Sequence, residues 1–377
     1  MTRSEGVAAN RVELAVQFET ILYKQFDVGY EIRLDRAFDL LASSAPERRK
    51  PVRGEAHAIL IPNPPVIVHL GTERADLGGS PRDFEITVCL YDFGVISLRA
   101  RIGRPEWLAW DEFVALGSAI AGSGVWGCFG EWRDRLLDRI GPAIVRPNRS
   151  AVTEEYTVFR VGGLRGPGGD PVPPSALPDE GVARLLLGER RPVTAPARAH
   201  LLSERFSYFE DDLTLLTWSA ALVVEPDPKD ADVQYVLEFA NAQLLELRYY
   251  DAILDEELPR TYDEIATARR GFHLLGRRYS RLLAVLQTRV ADATEAVERA
   301  ENALKVTDDV YLARIYAAAL EIFRGPSWRR GIDQKVAIVR DAYTMLNAES
   351  QARRAEVLEL AIVILIVLEI VLAWVVG

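Results

Sequence analysis

The stretch FEITVCLYDFGVISLRARI, from Phe84 to Ile102, decides the fold of the N-terminal half of this chain. Its two ends, Phe84–Leu90 and Val95–Ile102, are short runs rich in β-branched and apolar residues. Asp92-Phe93-Gly94 between them is a turn signal. The stretch therefore predicts two neighbouring strands joined by a short turn.

Similar runs surround this pair on both sides, and helical stretches lie between them. The predicted strands are Val12–Leu22, Ala56–Ile61, Val66–Leu70, Tyr156–Val161 and Leu213–Val224, and the predicted helices are Leu34–Leu41, Glu106–Ile120 and Glu131–Ile140. This mixture predicts an α+β cytoplasmic domain over residues 1–225. A Gly/Pro-rich segment at 162–181 is predicted to be an exposed loop within it.

From Lys229 onward the composition becomes helical. A first helix is predicted to end at Pro259, and a second to begin at Thr261 with a capping-box pattern. Apolar residues spaced alternately three and four apart over 272–304 predict the seam of a coiled coil or of an antiparallel helical hairpin. We therefore expect a helical stalk over residues 226–356.

The end of the chain reads LAIVILIVLEIVLAWVV, from Leu360 to Val376, and is apolar at every position except Glu369. A third helix, starting near Gly331, continues into this run in the same register. With its flanking residues the run reaches about 20 residues, or ~30 Å of helix, which matches a bilayer core. We therefore expect a single transmembrane anchor over residues 357–377.

The residues around this segment predict its orientation and contacts. Arg353 and Arg354 precede it, so the positive-inside rule places the bulk of the protein in the cytoplasm, at the inner membrane, with the C-terminus outside. Trp374 suits the far interface, and Glu359 can reach the headgroups. Glu369 within the span predicts self-association, a polar protein partner, a pore lining or a tolerated position near the far interface. These five residues are the candidate anchor and oligomerisation residues.

Composition restricts the function classes. The net charge of −10 gives the chain no general attraction for nucleic acid, so no direct nucleic-acid partner is expected. The two cysteines, Cys89 and Cys128, form no CxxC pair, which excludes a zinc cluster of that type and a disulfide framework. Five lysines against forty arginines indicate GC-rich coding, which we interpret as a bacterial source.

The sequence offers little catalytic chemistry. Among the four histidines, His57 and His69 are the strongest ligand candidates, because they flank a predicted strand pair. The sequence Gly122 to Gly127 matches GxGxxG, but a helix-like run precedes it and Trp126 would crowd a pyrophosphate. We interpret it as a loop between two helices. We interpret the acidic clusters at 210–212 and 255–257 as helix-cap and solvated charges rather than as metal ligands. No catalytic, cofactor or metal residue is predicted.

The C-terminal third resembles the sporulation and required-for-meiotic-nuclear-division membrane-protein family, of the YagE type. The likeness rests on Leu358-Glu359, on Leu368-Glu369-Ile370, on the stretch Tyr91-Asp-Phe-Gly94-Val-Ile and on the stretch Phe239-Ala-Asn-Ala-Gln-Leu-Leu-Glu-Leu within the first stalk helix. The Ser-rich segment of that family is not evident, and residues 162–181 resemble an insertion. The resemblance implies a membrane-anchored, oligomeric scaffold or tether without enzyme activity.

Three functions follow as hypotheses. The first is a non-catalytic, homo-oligomeric scaffold or tether, held in the lipid bilayer and binding a protein partner through its α+β domain. The second is a membrane-tethered ligand-sensing or enzymatic α+β domain, which requires a pocket with convergent polar groups. The third is an oligomeric ion pathway, which the single predicted span and the absence of a Gly-Met-Asn loop make the least favoured.

Overall fold

We describe a computed structural model of the chain. It describes residues 14–48, 59–60, 62–77, 79–148, 150–270 and 309–376, and a few isolated positions between 271 and 308. The chain divides into two compact units. The first comprises Met1–Glu246 with Arg299–Pro326, and the second comprises Leu247–Glu298 with Ser327–Gly377. The domain boundaries drawn from the sequence stay predictions.

Thirteen strands are seen in the described residues. They are β1 (Ala15–Asp27), β2 (Gly29–Ile32), β3 (Glu47–Arg48), β4 (Ile59–Leu60), β5 (Val66–Asp76), β6 (Pro81–Leu90), β7 (Val95–Ala109), β8 (Ile144–Pro147), β9 (Thr153–Arg165), β10 (Arg205–Phe206), β11 (Leu213–Leu216), β12 (Ala220–Val224) and β13 (Lys305–Val306). Nine of them form one sheet in the order β10-β11-β12-β9-β1-β7-β6-β5-β3. Its pairs are antiparallel except β12 with β9, which is parallel.

Helices alternate with these strands along the chain and follow the last strands of the sheet in sequence. The α-helices in the described residues are α1 (Leu34–Leu40), α2 (Trp110–Ala121), α3 (Val125–Ile140), α4 (Asp179–Leu187), α5 (Ala195–Leu201), α6 (Asp232–Arg270), α7 (Val310–Ile322) and α8 (Gly325–Val376). Short 3-10 turns lie at Ala42–Ser44, Gly141–Ala143 and Pro174–Ala176. The predicted N-terminal sheet domain is therefore confirmed.

The stretch that opened the sequence analysis forms the hairpin of β6 and β7. Its turn depends on Gly94, which has φ +96°, a conformation that side chains rarely adopt. A Cβ at this position would overlap the carbonyl oxygen of Gly29. The close approach brings the Gly94 carbonyl within 3.0 Å of the Val28 N–H, which donates to it. Glycine is needed here for both conformation and space.

One face of the sheet carries the apolar core. Residues of even number on β6 and β7, such as Ile86, Val88, Leu98 and Ala100, are fully buried there. Buried residues of α1 to α3 join the same cluster, and a second cluster lies under α2 and α4. Because successive residues on a strand point to opposite faces, the odd-numbered residues of β6 and β7 must lie on the other face.

The helical segment differs from its prediction in one respect. Pro259 does not end a helix, because α6 runs from Asp232 to Arg270 with this proline inside it. Thr261 is therefore not at a helix N-terminus, and the predicted capping box has no terminus to cap. Most of the predicted seam over 272–304 lies outside the described residues. No long coiled-coil hairpin is seen in the part of the chain that is described, so that element of the prediction was wrong.

The second unit contains the end of α6 and most of α8. Lys335 of α8 joins them, since its Nζ lies 2.6 Å from Asp251 Oδ1 and 2.7 Å from Asp255 Oδ1. Leu254 on α6 and Ile332 on α8 are buried. This ion pair and these apolar side chains stabilise the unit.

The structure also corrects the predicted transmembrane helix. Among the described residues, no single helix is both long and apolar enough to cross a membrane. The anchor predicted over 357–377 was therefore wrong by this measure, and the localisation that followed from it is untested.

One bent helix pair does meet the length and composition requirements jointly. It comprises Trp110–Ala121 and Val125–Ala143, with a bend of 56°. Its residues Phe113, Phe129 and Leu136 are buried in the apolar clusters of the sheet. We therefore assign the pair to the protein core.

Candidate functional site

The second face of the sheet, which we call the polar face, carries an unusual number of charged and hydrogen-bonding side chains. Strand register places on it Glu19, Tyr23, Gln25, Glu85, Thr87, Cys89, Ser97, Arg99, Arg101 and Arg160. Directly opposed residues of antiparallel strands project from the same side, so these residues form continuous rows across β6, β7, β1 and β9.

Part of the polar face is covered by the first turns of α6. Arg99 donates from Nε and Nη2 to the two carboxylate oxygens of Glu238, at 2.8 and 2.6 Å. Gln25 Nε2 donates to the Glu238 carbonyl at 2.8 Å and to Ser97 Oγ at 3.3 Å. Glu238 is 1% exposed. A buried bidentate pair of this kind fixes the position of the helix on the sheet.

A second buried contact joins the end of β1 to α6. Asp27 Oδ1 accepts hydrogen bonds from the Gly29 N–H and from Asn148 Nδ2. The Asp27 carboxyl also shares a hydrogen bond with Glu246. Burial raises the pKa of Asp27 from 3.8 to about 7, against the lowering effect of these three hydrogen bonds. The Asp27 carboxyl therefore carries a proton below neutral pH.

Beside the covered part, the polar face opens into a cleft of about 640 Å³. We call it the charged cleft. Its lining residues are Gln17, Phe18, Glu19, Thr72, Asp83, Glu85, Arg101, Gly103, Arg160, Gly162, Pro226 and Pro228. The two prolines belong to the segment that leads into α6 and give this wall a restricted backbone. All of these residues lie in the first unit.

Two guanidinium groups flank a carboxylate in the floor of the cleft. Glu19 Oε1 lies 3.3 Å from Arg101 Nε, and Glu19 is directly opposite Arg160 on the neighbouring strand. Arg160 is only 9% exposed. Its Nη2 donates to the carbonyls of Glu225 and Asp227, at 3.4 and 2.5 Å. Arg160 is thus a buried, fixed cation at one end of the cleft.

Arg160 retains donor capacity. Its Nε is buried and makes no hydrogen bond to the described residues. A buried donor without a partner costs about 1–3 kcal/mol, and native proteins rarely keep one unless water or a ligand completes it. The guanidinium is therefore incompletely satisfied by the described protein groups.

The other end of the cleft is acidic. Asp83 and Glu85 of β6 lie there, each beside a basic side chain of β5. Arg74 Nε lies 3.0 Å from Asp83 Oδ1, and His69 Nε2 lies 3.5 Å from Glu85 Oε1. These partners are largely exposed, which limits the strength of both pairs. The two carboxylates remain available as acceptors.

Strand irregularities shape the floor of the cleft. The register of β1 shifts between Gln17 and Phe18 against β9, and between Val16 and Phe18 against β7. Gly162 is the extra residue on β9, and a Cβ placed there would meet no atom within 4 Å. Bulges of this kind re-aim side chains next to functional sites. Here they leave open space above the sheet.

The chemistry of the cleft suits recognition of a small polar molecule. Arg160 lies at one end, Asp83 and Glu85 lie at the other, and the pair of Glu19 and Arg101 lies between them. No cluster of three His, Cys, Asp or Glu side chains that could hold a metal ion occurs among the described residues. The groups in place can bind and orient a ligand through hydrogen bonds and charge.

The residues predicted for anchoring and oligomerisation lie elsewhere. All five belong to α8 in the second unit. Glu359, Glu369 and Trp374 are exposed, Trp374 to 90%. The side chains of Arg353 and Arg354 lie outside the described residues. Glu359, Glu369 and Trp374 are not among the lining residues of the charged cleft.

The weaker sequence candidates are also placed. His69 lies beside the acidic end of the cleft, while His57 and His273 lie outside the described residues. The glycine motif at 122–127 connects α2 and α3, so it lacks the preceding strand of a dinucleotide site. In the acidic clusters, Asp212 accepts from the Tyr208 N–H and Asp255 pairs with Lys335.

Comparison with known proteins identifies the family of the domain that contains the cleft. The family described as the N-terminal domain of uncharacterized protein MJ0711 matches residues 17–231, more than half of the chain. The chain belongs to the MJ0711 N-terminal domain family. Uncharacterized protein MJ0711 from Methanocaldococcus jannaschii is 23% identical over 243 residues, covering 64% of this chain and 73% of its own length. No solved structure matches the chain.

Membership in the MJ0711 N-terminal domain family corrects two predictions. The resemblance to the sporulation and required-for-meiotic-nuclear-division family was wrong. Its strongest motifs, around Glu359 and Glu369, lie in the C-terminal helix, outside the matched residues, where apolar helices of many proteins look alike. The predicted bacterial source is also unsupported, because the relative described above is archaeal.

The charged cleft lies wholly inside the MJ0711 N-terminal domain. Its first and last lining residues, Gln17 and Pro228, fall within the matched residues 17–231. The sequence analysis did not find it. The available signal was the alternation of polar with apolar residues on β6 and β7, which alone is equally typical of a solvent-facing strand.

Proposed function

We propose that the N-terminal domain is a non-catalytic binding module for a small polar ligand, held in the charged cleft. The observation that carries this proposal is the convergence of Arg101, Arg160, Glu19 and Glu85 on one cavity of about 640 Å³. Its volume lies within the usual range for small-molecule sites, about 300–1,000 Å³. This is the ligand-sensing alternative of the sequence analysis.

The rigidity of the site supports binding. The cleft floor is the sheet itself, and Arg160 is held by two backbone carbonyls. Glu238 and Arg99 fix α6 beside it. Pre-organised groups lose little conformational entropy when a ligand binds, so most of the interaction energy remains as affinity.

Native mass spectrometry of the protein purified gently from its own host tests the proposal. We expect one stoichiometric small molecule on the wild-type chain. The variant Gly162→Leu should lose it, because the new side chain occupies the open space above β9. A control variant, Gly127→Leu on the exposed side of α3, should keep it. A wild-type chain without an adduct, or an adduct retained by Gly162→Leu, would contradict the proposal.

The oligomeric scaffold stays a prediction. One observation favours it: side chains along α8, among them Leu365, Leu368 and Ile370, are more than half exposed. Exposed apolar patches of this kind mark interaction surfaces, and a second copy of the chain would bury them. The same mass spectra report the assembly state. A defined homo-oligomer that dissociates upon Glu369→Lys supports the scaffold, and a monomer at all concentrations contradicts it.

A further inference from the structure

The charged cleft has opposite charges at its two ends. Arg160 lies on β9, and Asp83 and Glu85 lie on β6, with β1 and β7 between them. Neighbouring strands are about 4.8 Å apart, so three spacings separate the two ends by ~14 Å at the backbone. Arginine and glutamate have long side chains, so a ligand shorter than this backbone separation can reach both ends.

The charge between the two ends is already balanced. Glu19 in the middle of the floor faces Arg101 at 3.3 Å. This pair leaves Arg160 with its buried Nε donor unused among the described residues. Glu85, directly opposite Arg101, and Asp83 supply the carboxylate acceptors at the other end. At the acidic end Asp83 and Glu85 have only the exposed partners Arg74 and His69, so the ammonium group of a ligand can compete for these carboxylates. A ligand that carried only a cation would leave the buried Arg160 Nε without a partner.

We infer that the ligand of the charged cleft is a small zwitterion, with its anionic group at Arg160 and its ammonium group at Glu85 and Asp83. This inference rests on the proposed binding function and adds the ligand class to it. A carboxylate suits the guanidinium of Arg160, since charge-assisted hydrogen bonds to guanidinium are short and strong. An ammonium group suits carboxylates that accept from several directions.

Three compounds of nearly equal length test the inference by isothermal titration calorimetry at low salt. They are 6-aminohexanoate, which carries both charges, hexanoate, which carries only the anion, and hexylamine, which carries only the cation. We expect 6-aminohexanoate to bind at least tenfold more tightly than either of the others. Glycine, whose charges are too close together to span the cleft, should bind no better than the singly charged compounds.

Variants assign each end of the ligand. Arg160→Met should reduce the affinity for 6-aminohexanoate to that for hexylamine, and Glu85→Gln should reduce it toward that for hexanoate. Arg135→Met, which removes an exposed arginine of α3, serves as the control and should leave the affinity unchanged. Circular dichroism confirms that each variant is folded.

The outcomes separate the two proposals. Hexanoate that binds as tightly as 6-aminohexanoate, with dependence on Arg160, would overturn the zwitterion and leave a binding cleft for anions. Hexylamine binding that depends on Glu85 alone would overturn it in the opposite sense. If no compound binds, or if neither Arg160→Met nor Gly162→Leu changes any affinity, the zwitterion proposal is overturned. If native mass spectrometry also finds no small molecule on the wild-type chain, the proposed binding function is overturned as well.

Discussion

Glu19 on β1 lies directly opposite Arg160 on β9, yet its carboxylate approaches Arg101 on the other side, with 3.3 Å between Oε1 and Nε. Because Glu19 pairs with Arg101, the more deeply buried Arg160 keeps an Nε donor that has no partner among the described residues. Arg160 owes its position to the backbone carbonyls of Glu225 and Asp227. This arrangement is the basis of the charged cleft.

Filling the cleft should abolish binding without harming the fold. In Gly162→Leu the new side chain enters open space, because a Cβ there meets no atom within 4 Å. We expect a loss of ligand affinity of at least tenfold and a change in unfolding free energy below about 1 kcal/mol. Calorimetry and urea unfolding measure the two quantities. A variant that unfolds readily would show that the space is not open.

Breaking the buried ion pair should be costly, whereas removing both partners should not. Arg99→Met leaves the Glu238 carboxylate buried without its cation, which costs about 3–5 kcal/mol. The double variant Arg99→Met/Glu238→Leu should recover most of that loss, because no buried charge remains. Urea unfolding curves provide both values. The exposed pair of Arg135 and Glu131 is the control, and Arg135→Met should cost under about 1 kcal/mol. A double variant no more stable than Arg99→Met would contradict this account.

The pH dependence of stability should carry the signature of Asp27. Its pKa is raised by burial from 3.8 to about 7, so the folded chain binds the proton more tightly than the unfolded chain. The stability from this group is complete below pH ~4 and is lost as the pH rises to about 7, by an amount on the order of 4 kcal/mol.

Asp27→Asn removes that proton while keeping an acceptor for Asn148 and a donor for Glu246. The difference in unfolding free energy between this variant and the wild type should grow in favour of the variant between pH 4 and pH 7.5. Denaturant titrations at several pH values measure it. A constant difference across this range would show that Asp27 does not hold the proton.

Substitutions at Gly94 and Gly79 separate the cost of a steric clash from the cost of backbone strain. Gly94 and Gly79 have φ of +96° and +91°, but a Cβ overlaps a backbone oxygen only at Gly94. Gly79→Ala should therefore cost only the strain of that conformation, about 1–3 kcal/mol. Gly94→Ala adds the clash and should cost several kcal/mol more, as measured by thermal unfolding. Equal losses in the two variants would contradict the close approach to Gly29.

The N-terminal sheet was predictable because its signals are local. The turn at Asp92–Gly94 and the apolar runs around it specify β6 and β7 within the sequence itself. Short strands such as β3 and β10 were missed, since two residues carry no period. The Pro259 prediction failed because a proline inside a long helix can be accommodated by packing that propensity does not include.

The charged cleft could not be predicted for a different reason. Its residues come from five strands and one loop between Gln17 and Pro228, and only the register of the sheet brings them together. Arg160 and Glu85 are far apart in the chain, and each looks like an ordinary surface charge on its own strand. The error at the C-terminal helix had the opposite cause. Its apolar run is a strong local signal, and this signal alone led to the prediction of a transmembrane helix.

The most direct test of the central claim is the side-chain NMR signal of Arg160. With arginine labelled by ¹⁵N, the Nε–H peak of Arg160 is identified by its absence in Arg160→Lys and then followed while 6-aminohexanoate is added. We predict that this peak shifts progressively to saturation, while the Nε–H peak of the exposed Arg135 stays in place. An Arg160 peak that does not move at any concentration would contradict the claim that this buried guanidinium binds the ligand.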